Sequence, residues 1–155
     1  MFARLKEKAE QIQQILEQLA GENKNGKPIL VEGKKDAEAL KTLGINGKII
    51  FAKKGPKTLL SVVSEIENLN ADEILLMLDF DREGKQLTEQ LKNHIEKTGV
   101  KVNVYYWLKL LSLTDRDIKD VEGLATYMRT LRTKLAFSKK DLGFNSENKI
   151  DTELE

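Results

Sequence analysis

Hydrophobic and polar positions follow two different periods along this chain. Between residues 2 and 19, apolar side chains recur every three or four positions, with Lys, Glu and Gln between them. Because an α-helix completes a turn in about 3.6 residues, this spacing predicts an amphipathic helix with one buried face. Gly21 is expected to end that helix, and the polar segment 21–27 to form a loop.

Four short apolar runs follow, and each is separated from the next by a segment with helical patterning. The runs are predicted to be strands at residues 28–31, 48–52, 73–78 and 100–107. The helical segments between them span residues 36–43, 58–69 and 84–97. Strands that alternate with helices over short connections favour a parallel sheet with helices on both faces. We therefore predict an α/β fold with a Rossmann-like sheet of four parallel strands and flanking helices.

The pattern changes beyond Leu108. Residues 121–135 have helical spacing, whereas residues 137–155 are polar and poorly patterned, so we expect that tail to be partly disordered. The chain is accordingly divided into an N-terminal helix and linker (1–26), an α/β core (27–110) and a C-terminal helical extension (111–155).

Composition narrows the class of protein. The chain has no cysteine, which excludes disulfides, thiolate metal sites and a cysteine nucleophile. Its net charge of +1 excludes a protein that is strongly basic overall but allows a local basic patch. No apolar stretch reaches membrane-spanning length, and a charged helix follows Met1-Phe2 where a secretory signal would lie. We therefore expect a cytoplasmic protein without a membrane partner.

The segment 79–84, with the sequence DFDREG, carries the strongest chemical signal. It follows the apolar run 74–78, which has the pattern of a buried strand. In extended backbone, residues two apart point the same way, so Asp79 and Asp81 would present their carboxylates on one side. Hard oxygen ligands of this kind suit Mg²⁺, for which Mn²⁺ can substitute. The alternative is an acidic turn exposed to solvent.

A second acidic residue ends another predicted strand. Residues 28–31 are apolar and run into Glu32, followed by Gly33 in the sequence VEGKKD. The carboxyl ends of parallel strands form the ligand crevice in sheets of this type. If the two strands are neighbours, Glu32 faces Asp79 and Asp81 across that crevice.

A strand ending in Glu-Gly, followed roughly fifty residues later by a strand ending in Asp-x-Asp-x-x-Gly, resembles the Toprim domain. That domain occurs in type IA topoisomerases, bacterial-type primases and several nucleases. The resemblance covers about residues 28–106 and is strongest to the small stand-alone Toprim proteins of archaea, where KDVEGL also recurs downstream. It implies a Toprim-type fold, metal ligation by Asp79 and Asp81, and a role for Glu32 as general acid/base or ligand. Glu83 matches a further acid of the topoisomerase motif, although it could equally favour the start of the next helix.

Basic residues are expected to flank this acidic crevice, since a polyanion would not approach it otherwise. Those that the strand ends place on its rim are Lys34, Lys35, Lys53, Lys54, Lys57 and Arg82. They are candidates for phosphate or nucleic-acid contacts. The alternative is that they are ordinary lysines exposed to solvent.

Other polar and aromatic residues have weaker claims to a role. Asp120, which precedes the helix predicted from residue 121, could reach the crevice or cap that helix. Tyr105, Tyr106 and Trp107 alternate along the fourth predicted strand, and core packing explains them better than base stacking. His94 lies in mid-helix and is a poor catalytic candidate.

Three functions are compatible with these features. The first is Mg²⁺-dependent phosphoryl transfer on DNA or RNA, with a nuclease as the leading form. The second is a non-catalytic, metal-dependent module that binds nucleic acid or nucleotide within a larger complex and therefore has a protein partner. The third is a minimal primase-like nucleotidyl transferase.

Overall fold

The computed structural model of the chain describes residues 2–114, 116 and 118–141. Its helices are α1 (Phe2–Lys24), α2 (Lys34–Thr42), α3 (Leu59–Asn68), α4 (Arg82–Glu96), α5 (Tyr105–Leu113) and α6 (Val121–Asp141). Its strands are β1 (Ile29–Val31), β2 (Ile49–Phe51), β3 (Glu73–Leu76) and β4 (Lys101–Asn103). No helix in the described part of the chain is both long enough and apolar enough to cross a membrane.

The four strands form one sheet in the order β2-β1-β3-β4, and every neighbouring pair is parallel. This order places β1 and β3 at the centre of the sheet, where Ile29 of β1 lies opposite Leu75 of β3. Both strands are fully buried, because each is covered on its two sides. The predicted four-stranded parallel α/β fold is confirmed.

Alternate residues of the central strands face two separate hydrophobic layers. Ile29 and Val31 pack with residues of α1, α2, α5 and α6 on one face of the sheet. Leu30, on the other side of β1, packs with residues of α3 and α4. This alternation follows from the two-residue period of a strand and places helices on both faces, as the strand–helix order predicts.

Asn23, in the last turn of α1, is only 3% exposed. Its side-chain amide donates hydrogen bonds to the carbonyls of Lys27 (2.9 Å) and Lys48 (3.1 Å). Its side-chain oxygen accepts from the N–H of Gly47 at 2.7 Å. A Cβ at Gly47 would lie 2.3 Å from that oxygen, so the close approach requires glycine. Asn23 therefore joins α1 to the segments that lead into β1 and β2.

The predicted fourth strand is too long. β4 ends at Asn103, and Tyr105, Tyr106 and Trp107 lie in the first turn of α5, so the expected alternation of these three aromatic residues along a strand is wrong. The Asn103 side-chain oxygen accepts a hydrogen bond from the Tyr105 N–H at 2.8 Å. Asparagine side chains that bond nearby backbone groups compete with the strand ladder, which explains the turn into α5.

Two helices extend beyond their predicted ends. α1 continues past Gly21 to Lys24, and the chain turns at Gly26, where φ is +102° and favours glycine. α6 continues past residue 135 to Asp141. The expectation of a partly disordered tail falls mostly on residues 142–155, which lie outside the described residues.

Candidate active site

The site is built at the edge of the sheet where β1 and β3 end. Glu32 directly follows β1 and is 7% exposed. Its Oε2 accepts a hydrogen bond from the backbone N–H of Asp79 at 2.9 Å. Because parallel neighbours end at the same edge, residues 47 positions apart in the sequence come into contact there.

Close backbone packing fixes the conformation of the DFDREG segment. A Cβ on Gly84 would lie 2.1 Å from the carbonyl oxygen of Asp79, so only glycine allows α4 to begin this close to Asp79. Trp107 donates from Nε1 to the carbonyl of Leu78 at 2.8 Å, just before the segment. Phe80 is 5% exposed and belongs to the hydrophobic layer that contains α1.

Three aspartates meet beside Glu32. One carboxylate oxygen from each of Asp36, Asp79 and Asp120 lies within 4.8 Å of the others. Asp36 is held by the Gly33 N–H, which donates to its Oδ2 at 3.2 Å. Asp120 accepts from the Gly123 N–H at 2.7 Å. We refer to Glu32, Asp36, Asp79 and Asp120 as the acidic cluster.

The protonation of Asp79 reflects the negative charge of this cluster. Burial, a hydrogen bond with Glu32, and the charges of Glu32, Asp36 and Asp120 together raise the pKa of Asp79 to about 8. Burial also raises the pKa of Asp36, and the charges of Asp120 and Glu32 add to that rise, while backbone hydrogen bonds oppose it. Negative charge in the cluster is therefore unfavourable unless a cation is present.

Lys53 supplies part of the missing positive charge. Its Nζ lies 2.8 Å from Glu32 Oε1, and its backbone N–H donates to the Glu32 carbonyl at 2.9 Å. The hydrogen bond with Glu32, opposed by desolvation and supported by nearby negative charges, raises the pKa of the Lys53 ammonium group. Lys53 pairs with one acid, so the three aspartates are left without an ion-pair partner among the described residues.

The family model for the Toprim domain matches residues 27–107. The chain belongs to the Toprim family. It is 33% identical to a UPF0292 protein of Methanosarcina acetivorans over 94% of this chain and 95% of that protein. It is 34% identical to a UPF0292 protein of Methanocaldococcus jannaschii over 77% of this chain and 91% of that protein. The predicted similarity to small archaeal Toprim proteins is confirmed.

A solved structure of a protein from Aquifex aeolicus has the same fold. It aligns with 70% of this chain and 94% of its own length, with a TM-score of 0.59 and 24% identity.

Membership of the Toprim family implies a metal-dependent role in nucleic-acid chemistry.

Toprim domains bind divalent metal ions, and the donor set of this Toprim domain fits such an ion. Asp36, Asp79 and Asp120 offer carboxylate oxygens, the ligands that Mg²⁺ prefers, and their shared negative charge favours a cation. These three residues would hold the metal, with Glu32 beside them.

The structure brings some of the predicted site residues of this Toprim domain together and separates others. Glu32 and Asp79 converge, as the strand-end argument expects, and Asp120 both joins them and accepts from the Gly123 N–H in the first turn of α6. Asp81 instead caps α4, since its Oδ1 accepts from the Gly84 N–H at 2.8 Å. Glu83 lies exposed in the first turn of α4. Ligation by Asp81 or Glu83 stays a prediction.

The six basic residues predicted to flank the acidic crevice fall into two groups in the structure, those that line its pocket and those that lie away from it. Lys34, Lys35 and Lys53 line an open pocket of about 340 Å³ that contains the acidic cluster. Lys57 points elsewhere and donates to the Phe51 carbonyl (2.8 Å) and to Glu65 (2.7 Å).

Two of the remaining basic candidates also lie away from this pocket. The Nζ of Lys54 lies 5.1 Å from the centre of the Phe51 ring. Arg82 lines a different pocket on the far side of the DFDREG segment.

Asp36 is the member of the cluster that the sequence argument missed. It closes the VEGKKD segment in the first turn of α2, where an acid has an ordinary explanation as a helix-start residue. The available signal was that a second acid follows Glu32 within one turn at the same strand end. Asp115 and Asp117, which precede Asp120, lie outside the described residues.

Proposed function

We propose that this protein is a Mg²⁺-dependent phosphoryl-transfer enzyme that cleaves DNA or RNA. The observation that carries the proposal is the convergence of four acids at the carboxyl ends of β1 and β3. Three of them lie close enough to share one cation, and the fourth is held against Asp79 by a hydrogen bond. Two to three carboxylates beside a further acid form an arrangement suited to metal-assisted hydrolysis.

Each member of the cluster has a distinct role in this proposal. Asp36, Asp79 and Asp120 hold the ion, which when bound neutralises negative charge at the reacting phosphate. Glu32 is placed beside them by its bond to the Asp79 amide, and its Oε1 is the atom that accepts a proton from the attacking water. Lys53 Nζ lies 2.8 Å from that oxygen in the free protein, and it moves to the substrate phosphate when the strand binds.

Nucleic acid would reach the cluster along its basic side. Lys34 and Lys35 are exposed and line the same pocket as Asp79. Cations at this position offset the repulsion between the acids and a phosphate backbone. Binding therefore depends on Lys34, Lys35 and Lys53 as well as on the metal.

One contact favours a second candidate, a metal-dependent binding module without catalysis. The Lys53 ion pair occupies the oxygen of Glu32 that the cleavage mechanism requires. If Lys53 remains there when substrate binds, Glu32 does not accept a proton and the site only binds.

The test is a comparison of the wild-type protein with Asp79→Asn. End-labelled single-stranded RNA, single-stranded DNA and duplex DNA are incubated with Mg²⁺, Mn²⁺ or EDTA and analysed for cleavage and for a mobility shift. The matched control is Asp72→Asn, because Asp72 is exposed and precedes β3 at the opposite edge of the sheet.

Metal-dependent cleavage that is lost in Asp79→Asn and kept in Asp72→Asn supports the nuclease. A metal-dependent shift without cleavage supports the binding module instead. Cleavage that persists in EDTA, or that is equal in all three proteins, contradicts a role for the acidic cluster.

A further inference from the structure

A second pocket lies on the other side of the DFDREG segment. It has a volume of about 460 Å³ and is formed by the first turn of α4 together with the chain between α5 and α6. Its floor is apolar and includes Phe80, Leu111 and Ile118. This volume falls within the range of about 300–1,000 Å³ typical of ligand pockets. We call it the basic pocket because of the charges described next.

Four cations line the basic pocket. Arg82 and Lys85 come from α4, and Arg116 and Lys119 come from the segment that precedes α6. All four side chains are exposed, and none has an ion-pair partner among the described residues. Asp81 is the single acid among the described lining residues, and its Oδ1 is engaged by the Gly84 N–H. The pocket therefore carries positive charge that suits an anionic ligand.

The basic pocket and the acidic cluster share a wall. Asp79 and Asp120 belong to the acidic cluster, while their neighbours Phe80 and Lys119 line the basic pocket. The Phe80 N–H donates to the Lys119 carbonyl at 2.6 Å, which holds the two segments of the wall together. Because adjacent residues advance the chain by at most about 3.6 Å, the two pockets lie within a few residue lengths of each other.

We propose that the basic pocket is a second subsite for the nucleic-acid strand, holding a phosphate adjacent to the one at the acidic cluster. Arg82 and Arg116 offer planar guanidinium groups that match phosphate oxygens, and Lys85 and Lys119 add charge. The apolar floor accommodates the attached nucleoside. The pocket is larger than a phosphate alone would need. This subsite rests on the proposed function, because it positions the same strand that binds at the acidic cluster and so determines which stretch of that strand reaches Asp79.

The test measures binding of a fluorescently labelled single-stranded oligonucleotide by anisotropy at several salt concentrations. The variant is Arg82→Ala with Lys85→Ala. The matched control is Lys92→Ala with Lys97→Ala, which removes the same charge from the C-terminal part of α4 and from the residue that follows it. At about 1.5 Å per helical residue, Lys97 lies roughly 22 Å along the helix from Arg82. Circular dichroism verifies that both variants are folded.

The expected result is an affinity reduced by roughly tenfold or more in the Arg82/Lys85 variant, because charge-assisted hydrogen bonds to phosphate are removed. The negative slope of log K against log salt should become shallower by about 0.7 for each phosphate that the variant no longer neutralises. The Lys92/Lys97 variant should bind as the wild type does. Equal affinities in all three proteins would overturn the subsite while leaving the proposed function intact.

A second arm separates failure of the subsite from failure of the proposed function. Inorganic phosphate is titrated in EDTA, and the melting temperature is followed for the wild type and the Arg82/Lys85 variant. Stabilisation of the wild type alone shows that the basic pocket binds phosphate. If oligonucleotide binding also depends on Arg82 and Lys85 but no cleavage occurs, the subsite stands and only the proposed nuclease fails. If phosphate stabilises neither protein and oligonucleotide binding ignores Arg82 and Lys85, the basic pocket is not an anion site.

Discussion

Replacing Asp79 with asparagine is expected to stabilise the metal-free protein at alkaline pH. In the folded protein, burial and the neighbouring acids raise the pKa of Asp79 to about 8, against an ordinary value of 3.8. Its contribution to stability is therefore fully present below pH 4 and is lost as the pH rises to about 8. Asparagine does not ionise, and its amide can donate to Glu32 as the protonated carboxyl does, so the variant should not show this loss.

The size of the effect follows from the same values. At 1.36 kcal/mol per pH unit, the interval from 3.8 to about 8 corresponds to roughly 6 kcal/mol for a fully desolvated group. Asp79 is only partly buried, so solvent screening reduces this figure, and we expect about 2 kcal/mol. For a domain of this size, that is a difference in melting temperature of about 4–8 °C.

The measurement is urea unfolding followed by circular dichroism in EDTA, at pH 5, 7 and 9. As the pH rises, the free energy of unfolding of Asp79→Asn should increase relative to that of the wild type. The difference between the exposed control Asp72→Asn and the wild type should stay constant. If the wild type and Asp79→Asn lose stability in parallel between pH 5 and pH 9, the acids do not repel one another and the electrostatic account of the cluster is wrong.

Three further outcomes are expected. At a hundredfold excess over Kd, Mg²⁺ or Mn²⁺ should raise the free energy of unfolding of the wild type by about 2.7 kcal/mol, and with it the melting temperature. In thermal scans, Asp79→Asn should lose most of that rise in melting temperature. Gly84→Ala should cost roughly 1–3 kcal/mol in urea unfolding, since its Cβ would meet the Asp79 carbonyl at 2.1 Å. Gly21→Ala, on an open helical surface, should instead stabilise by up to about 1 kcal/mol, so equal effects would contradict the packing argument. Lys34→Ala with Lys35→Ala, two exposed lysines that line the acidic pocket, should weaken oligonucleotide binding across sequences and flatten its salt dependence, and an unchanged slope would place the strand elsewhere.

Much of the sheet could be predicted because its signals are local. Continuous apolar runs identify β1 and β3 as buried strands, and the helices between them require parallel connections. If β1 and β3 are neighbours, those two inferences place Glu32 near Asp79, and the 2.9 Å hydrogen bond shows this contact. The strand order had no comparable signal, since it depends on contacts between distant segments.

Other features could not be predicted because two local explanations fit the same residue. Asp36, Asp81 and Asp120 each sit where a helix begins, and an acid is favourable there with or without a ligand. The structure places Asp36 and Asp120 against Asp79 and leaves Asp81 as a cap. Likewise, the apolar pattern around Asn103 suits a strand, and only its side-chain bond to the Tyr105 N–H reveals the turn into α5.

Asn23 has a consequence for how this domain can be transplanted. Cutting the chain at residue 27, where the family match begins, would remove the partner of the Lys48 carbonyl and the Gly47 N–H. It would also expose the face of the sheet that Ile12, Leu16 and Leu19 cover. The unit that an engineer can graft into a fusion protein therefore begins within α1, and a shorter graft should aggregate.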